Sequence, residues 1–286
     1  MIDSHAHYSF YKFDNTFRYL KYENGVYVIE EGVRNALLAD LRSSGIEAFV
    51  EPAIGIDSNR ILLEMYKNNK GFMYPAVGVH PTRTYAAKWS RRKELIDLSR
   101  EEGVVAIGET GLDYHYPRKS QHRILQKMWF IYQLKLAHKT ALPLILHIRK
   151  ASKDAIRILK RYRNKLHGGV VHCFCDDLKT AESYLDLGLY IGIGGAVLQP
   201  EEKCSGLKDA VKHIPLERIL IETDAPYVLP DCVDSDGNKP TKSIRNSSTV
   251  IFAVAEEIAR IKEIDVETVR ETADENARKL FGIGNR

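Results

Sequence analysis

The stretch Val104-Val105-Ala106-Ile107-Gly108-Glu109 runs five uncharged residues into a single carboxylate. A run this short, apolar and β-branched reads as a strand buried on both faces. Similar runs fall at 2–7, 48–53, 74–80, 144–147, 169–174, 190–195 and 219–224. Helix-like stretches at 32–43, 58–69, 91–102, 120–139, 151–164, 178–187 and 207–213 separate them, and two more follow at 249–262 and 266–281. Eight strand–helix alternations in 286 residues predict an α/β protein, a (β/α)8 TIM barrel forming a single domain over 1–286. An open doubly wound sheet is the second choice, because no glycine-rich phosphate loop follows the first strand.

Composition narrows the class without deciding it. Apolar residues make up 44% and charged residues 28%, ordinary for a soluble protein. The net charge of +4 suits a phosphate-bearing substrate, yet alone it does not argue for nucleic acid. Cys173, Cys175, Cys204 and Cys232 form no Cys-x-x-Cys pattern, and the chain opens with nothing resembling a secretory leader. Free thiols in a reducing cytoplasm are the expectation. No apolar run reaches the roughly 18–20 residues that a membrane span needs.

The predicted strands end in metal-compatible side chains. The first ends in His5 and His7, the fourth in Glu109, the fifth in His147; the sixth carries His172 and the eighth ends in Asp224. On a strand the i, i+2 spacing of His5 and His7 sends both imidazoles to one face. In a barrel all these strand ends meet on one rim, where barrel enzymes hold their chemistry. Four histidines, a glutamate and an aspartate exceed the needs of one tetrahedral ion. They suit two divalent ions, zinc, manganese or magnesium, with Glu109 as the bridging carboxylate. Asp224 would also take a proton as general base, making Glu109 and Asp224 the catalytic pair. Alternation along the eighth strand buries Glu222 below Asp224, in a supporting role.

Several stretches together resemble the TatD family of metal-dependent deoxyribonucleases, a branch of the amidohydrolase-like barrels. They are Asp3-Ser4-His5-Ala6-His7, Gly78-Val79-His80-Pro81, Gly108-Glu109-Thr110-Gly111-Leu112-Asp113-Tyr114, Leu146-His147-Ile148-Arg149, Val171-His172-Cys173-Phe174, Glu222-Thr223-Asp224-Ala225-Pro226-Tyr227 and Arg245-Asn246. The resemblance implies a hydrolase barrel with metal ligands at His5, His7, Glu109, His147, His172 and Asp224. It also implies 3′-to-5′ nuclease activity on DNA with divalent metal.

This sequence departs from the family at three places that border the expected substrate. The first loop, from Tyr8 through Tyr27, is longer and more aromatic; Ser247-Ser248 stands where Glu-Pro is usual; and Cys175-Asp176-Asp177 replaces a small turn. The loop mixes rings with Lys12, Arg18 and Lys21, as a single-stranded nucleic acid site would. A lid or hairpin packed against the barrel is the other reading of the same residues. Arg149, Arg245, the segment 118–123, Lys239 and Lys242 are candidate phosphate contacts, and His80 stands on the substrate side. Arg91-Arg92-Lys93 reads as a solvated helix face. Single-stranded DNA is the expected substrate over two alternatives, the cations favouring a phosphodiester over the first and the full set of six ligand types speaking against the second. One is an amidohydrolase or esterase acting on a small carbonyl compound, or a deacylase of aminoacylated nucleotides; the other is a barrel that binds without catalysis.

Overall fold

The computed structural model describes residues 1–116 and 120–284. Its strands are β1 (Ile2–Asp3), β2 (Phe17–Glu23), β3 (Val26–Gly32), β4 (Ala48–Pro52), β5 (Met73–Val77), β6 (Ala106–Asp113), β7 (Leu144–Arg149), β8 (Gly169–Val171), β9 (Tyr190–Ile193) and β10 (Ile219–Ile221). Its helices are α1 (Arg34–Ser43), α2 (Ile56–Lys67), α3 (Glu94–Leu98), α4 (Ser120–Thr140), α5 (Ser152–Arg161), α6 (Leu178–Leu185), α7 (Glu201–His213), α8 (Ile251–Lys262) and α9 (Val266–Phe281). Eight strands share one sheet in the order β1-β4-β5-β6-β7-β8-β9-β10, while β2 and β3 form a two-stranded sheet. Sheet neighbours are thus consecutive in the chain with a helix between them. Their registers run parallel, with Ile2 opposite Ala48, Val77 opposite Ile107 and Leu146 opposite Val171. This is the strand order of a (β/α)8 TIM barrel, the fold class that the sequence predicts.

The elements follow from their residues. Every residue of β4 and β6 is buried, as expected for strands covered on both faces. In α8 the buried Ile251, Val254, Ala255, Ile258 and Ala259 recur at helical spacing and form one apolar stripe. By Cα proximity the chain divides into two compact units. The first comprises Met1–Val50, Cys173–Lys179 and Gly192–Ala277; the second comprises Glu51–His172, Thr180–Ile191 and the chain from Arg278. Leu37, Leu41, Phe49, Leu220 and Val254 lie in the core of the first, and Leu62, Met73, Ile107, Trp129 and Ile145 in that of the second.

The strands differ from expectation mainly at their carboxyl ends. The ladder of β1 stops at Asp3, that of β8 at Val171 and that of β10 at Ile221, so His5, His7, His172 and Asp224 lie just beyond it. Main-chain bonds continue past β1 and β8, with Ala6 N donating to Val50 O at 3.0 Å and His172 N to Leu146 O at 3.1 Å, whereas side chains take over after β5. After β5, the Asn59 amide accepts from Gly78 N and donates to Gly78 O, both at 2.9 Å, and the Gln133 carbonyl oxygen accepts from Val79 N at 2.7 Å. A Cβ at Gly78 would sit 2.6 Å from the Gly108 carbonyl carbon, so only glycine permits this approach. β6 runs on to Asp113 instead, through a register shift between Ile107 and Thr110.

The aromatic first loop is largely a hairpin. β2 and β3 meet at Asn24-Gly25, both at positive φ (52° and 83°), the pairing that suits a tight hairpin turn. Tyr8, Phe13, Phe17, Tyr19 and Tyr22 are buried. Tyr19 and Lys21 both donate to Asp40 on α1, and Tyr22 N donates to Thr249 Oγ1. The stretch 91–102, expected as one helix, is a short 3-10 turn leading into α3. Arg91 there pairs at the surface with Glu94 and Asp57.

Candidate metal centre

Within the second unit, three imidazole nitrogens converge on one carboxylate oxygen. His80 Nε2, His147 Nδ1 and His172 Nε2 lie 3.2, 2.9 and 2.8 Å from Glu109 Oε1. His147 Nδ1 is also 3.0 Å from His172 Nε2, and the other nitrogen of His147 faces Asp113 Oδ2 at 3.2 Å. Ligand atoms of His80, Glu109 and His147 all lie within 4.8 Å of one another. Glu109 is 2% exposed. Burial works to raise its carboxyl, but the charges of His80 and His172 and the hydrogen bonds of His147 and His172 outweigh that and hold it well below the usual range. Burial likewise works to lower His147, yet Asp113 and Glu109 leave it above its ordinary value. His80 is pushed down, by burial first. So many imidazoles crowded on one carboxylate call for positive charge at their centre, and a divalent cation with N and O ligands supplies it.

Within the first unit, a second donor set forms around Asp224. His5 Nε2 and His7 Nε2 are 3.1 Å apart, and they lie 3.7 and 3.4 Å from Asp224 Oδ1. Asp224 stands at positive φ (55°), where its backbone N donates to His5 O at 2.9 Å. Below the set, the fully buried Asp3 accepts from Thr223 Oγ1 and Ser248 Oγ, both at 2.6 Å, and from the backbone N of His5 and Thr223 at 3.1 Å. Burial pushes the Asp3 carboxyl up to about 7 despite these donors. Glu222, also fully buried, accepts from Cys173 N at 2.5 Å, fixing the turn that follows the His172 position. That turn takes Cys173 to positive φ (47°), and Cys175 Sγ donates to the Cys173 carbonyl at 3.2 Å.

The model of the TatD related DNase family matches residues 2–282. The chain belongs to that family. Among curated relatives, the metal-dependent hydrolase YabD of Bacillus subtilis, itself uncharacterized, is 32% identical over 99% of both chains. A protein named 3′-5′ ssDNA/RNA exonuclease TatD, from Edwardsiella piscicida, is 33% identical over 86% of this chain and 92% of its own. Among solved structures, the TatD homologue YJJV of Escherichia coli superposes with a TM-score of 0.81 at 25% identity, over 99% of this chain and 98% of its own. This TatD-family chain is a metal-dependent hydrolase with a TIM-barrel fold.

Each expected ligand of this TatD-family chain falls into one of the two sets: His5, His7 and Asp224 in one, Glu109, His147 and His172 in the other. His80, expected on the substrate side, stands directly against Glu109. Asp3 and Asp113 have roles that the sequence reading did not assign. Alternation from His5 back to Asp3, and from Glu109 on to Asp113, was the available signal. Ser248, expected near the substrate, is buried and serves Asp3 instead. Arg149 is exposed at the end of β7 with its guanidinium 5.8 Å from the Tyr116 ring. Lys239 pairs with Asp231. Arg118 and Lys119 lie outside the described residues.

Proposed function

We propose that this TatD-family hydrolase is a deoxyribonuclease that removes nucleotides from the 3′ end of single-stranded DNA, with residues 1–286 acting as one catalytic domain. The observation that carries the reading is the convergence of His80, His147 and His172 on one oxygen of Glu109 in the second unit; the first unit holds a further set made by His5, His7 and Asp224. Each set would hold one divalent ion, zinc, manganese or magnesium, with Glu109 bridging. Such ions would supply an acidified water and a clamp on the oxygens of the attacked phosphodiester.

The chain's own residues do the rest. Asp224 takes the proton as general base, while Asp113 fixes the ring of His147 and Glu222 the turn after His172. Arg149 and Arg245 face the substrate, while His80 stands with Glu109 in the metal-holding set. The exonuclease name of the Edwardsiella relative supports a nucleic acid substrate. Four free cysteines support a reducing, cytoplasmic setting, and no described helix is long and apolar enough to cross a membrane.

End-labelled single-stranded oligonucleotides incubated with magnesium, manganese or zinc test the reading. Mononucleotides should leave the 3′ end, and Asp224→Asn should lower kcat by about 100- to 10,000-fold, the range for a general base. Equal activity in wild type and Asp224→Asn would overturn the proposal. So would hydrolysis confined to amides or carboxylic esters. Metal binding without turnover of any substrate would leave only a binding barrel.

A further inference from the structure

The rings of the first loop divide into two groups. Tyr8, Phe13, Phe17, Tyr19 and Tyr22 are buried in the hairpin and its supports, but Tyr11 is 67% exposed. Tyr11 lies against Phe10 with ring centroids 4.4 Å apart, and Phe10 is 6.1 Å from Tyr227. Lys12 Nζ sits 4.1 Å from the centre of the Tyr227 ring and 5.8 Å from that of Phe10. Tyr227 in turn packs edge-on to His7 at 6.5 Å. Arg34 donates to the Phe10 carbonyl and pairs with Asp14, which holds the turn in place.

The charges on this platform are one-sided. Among the described residues no carboxylate pairs with Lys12 or Arg245. Burial first, and then the charge of Arg245, depress the Lys12 ammonium. Arg245 Nη1 donates to the Ser243 carbonyl, while its Nε is buried without an acceptor. Lys12, seated over the Tyr227 ring with no carboxylate partner, and Arg245, with an unbonded Nε, offer positive charge to an anion. The exposed Tyr11 ring adds affinity for a planar base.

We infer that Phe10, Tyr11, Lys12, Tyr227 and Arg245 form a subsite for single-stranded DNA, in which Lys12 and Arg245 hold a backbone phosphate and the exposed Tyr11 ring stacks a base. The subsite rests on the nuclease reading for its place in catalysis. Its position beside His7 assigns it to the nucleotide next to the bond being cut.

The test uses Tyr11→Ala, Lys12→Gln and Lys12→Arg in the full chain loaded with metal. Turnover is measured on a 3′-labelled oligothymidylate and on bis(p-nitrophenyl) phosphate, a diester with no base and no second phosphate. Oligothymidylate binding is read by fluorescence anisotropy in the Asp224→Asn background at several salt concentrations. Tyr11→Ala and Lys12→Gln should each raise KM for the oligonucleotide about tenfold with kcat nearly constant, the loss of one stacked base or one phosphate contact. The preference for oligonucleotide over the small diester should fall by the same factor. Lys12→Gln should also flatten the salt dependence of binding by about 0.7 of a log unit per log unit, and Lys12→Arg should restore it. Equal losses on both substrates would overturn the subsite, because the loop would then only shape the metal centre. If wild type cuts DNA but the variants bind it with wild-type affinity and salt slope, the subsite fails and the nuclease reading stands. If wild type cuts neither substrate yet Lys12→Gln binds DNA more weakly with the flatter slope, the nuclease reading fails and the subsite stands.

Discussion

An imidazole offers a metal one nitrogen, and whatever its other nitrogen touches sets the ring's angle and tautomer. For His147 that partner is Asp113, whose Oδ2 lies 3.2 Å from Nε2 while Oδ1 accepts from the backbone N of His115 and Tyr116. Asp113→Asn keeps the size of the group and loses the charge, so manganese affinity measured by calorimetric titration should fall by about 10- to 100-fold. Unchanged affinity with lost activity would place Asp113 on the substrate instead. Asp3 acts by another route, as the common acceptor for Thr223, Ser248 and the His5 backbone. Asp3→Ala strands several buried donors, each costing about 1–3 kcal/mol. A fall in Tm of about 6 °C or more should follow in a scanning calorimeter, given roughly 2–4 °C per kcal/mol in chains of this size class. The positions of both aspartates were legible in the sequence, on the faces of His5 and Glu109. Their partners were not, because Thr223 and Ser248 are brought to Asp3 only by the fold.

At the scale of elements, most of the architecture could be read from apolar runs and helical spacing, and α4, α8 and α9 fall within two residues of expectation. The hairpin was harder, since its rings also fit an open nucleic acid loop. Its Asn24-Gly25 turn was the signal that favours the hairpin. The end of β5 was overestimated because the amides of Asn59 and Gln133 take over the ladder's bonds at Gly78 and Val79, which no periodicity reveals. Helix contacts are also beyond pattern reading. Lys208 of α7 lies 2.9 Å from Glu257 of α8, and Arg260 donates to the same carboxylate. Arg260 first, and Lys208 after it, hold the Glu257 carboxyl below its usual value of 4.5, against the opposing pull of burial. A depressed carboxyl adds stability above its unfolded value and loses it as pH falls through the lower folded one. Glu257→Gln should therefore cost about 0.5 kcal/mol at pH 7, a partly screened pair, or roughly 1–2 °C in Tm. The gap from wild type should close in strong acid. A gap that stays constant with pH would mean the loss is packing rather than charge.

For the whole molecule, the sharpest consequence of the proposed bridge is that one residue governs both ions. Each donor set brings two or more imidazoles, so removing a ligand found in one set should weaken one ion and spare much of the other. A ligand that binds only the folded chain stabilises it by about 2.7 kcal/mol at a hundredfold excess over Kd, which in a chain of this size is a rise in Tm of about 5 °C or more. Wild type should therefore carry two manganese ions by elemental analysis, and a chelator should lower its Tm by at least that amount. His7→Ala should retain about one ion and part of the thermal gain. Glu109→Gln should lose most of both, because the carboxamide cannot neutralise two cations. The metal-free form of that variant should not be much less stable than metal-free wild type, since the imidazoles that crowd the carboxylate can deprotonate once its charge is gone. Retention of one full equivalent by Glu109→Gln, with half of the wild-type Tm gain, would confine Glu109 to a single ion and remove the bridge from the mechanism.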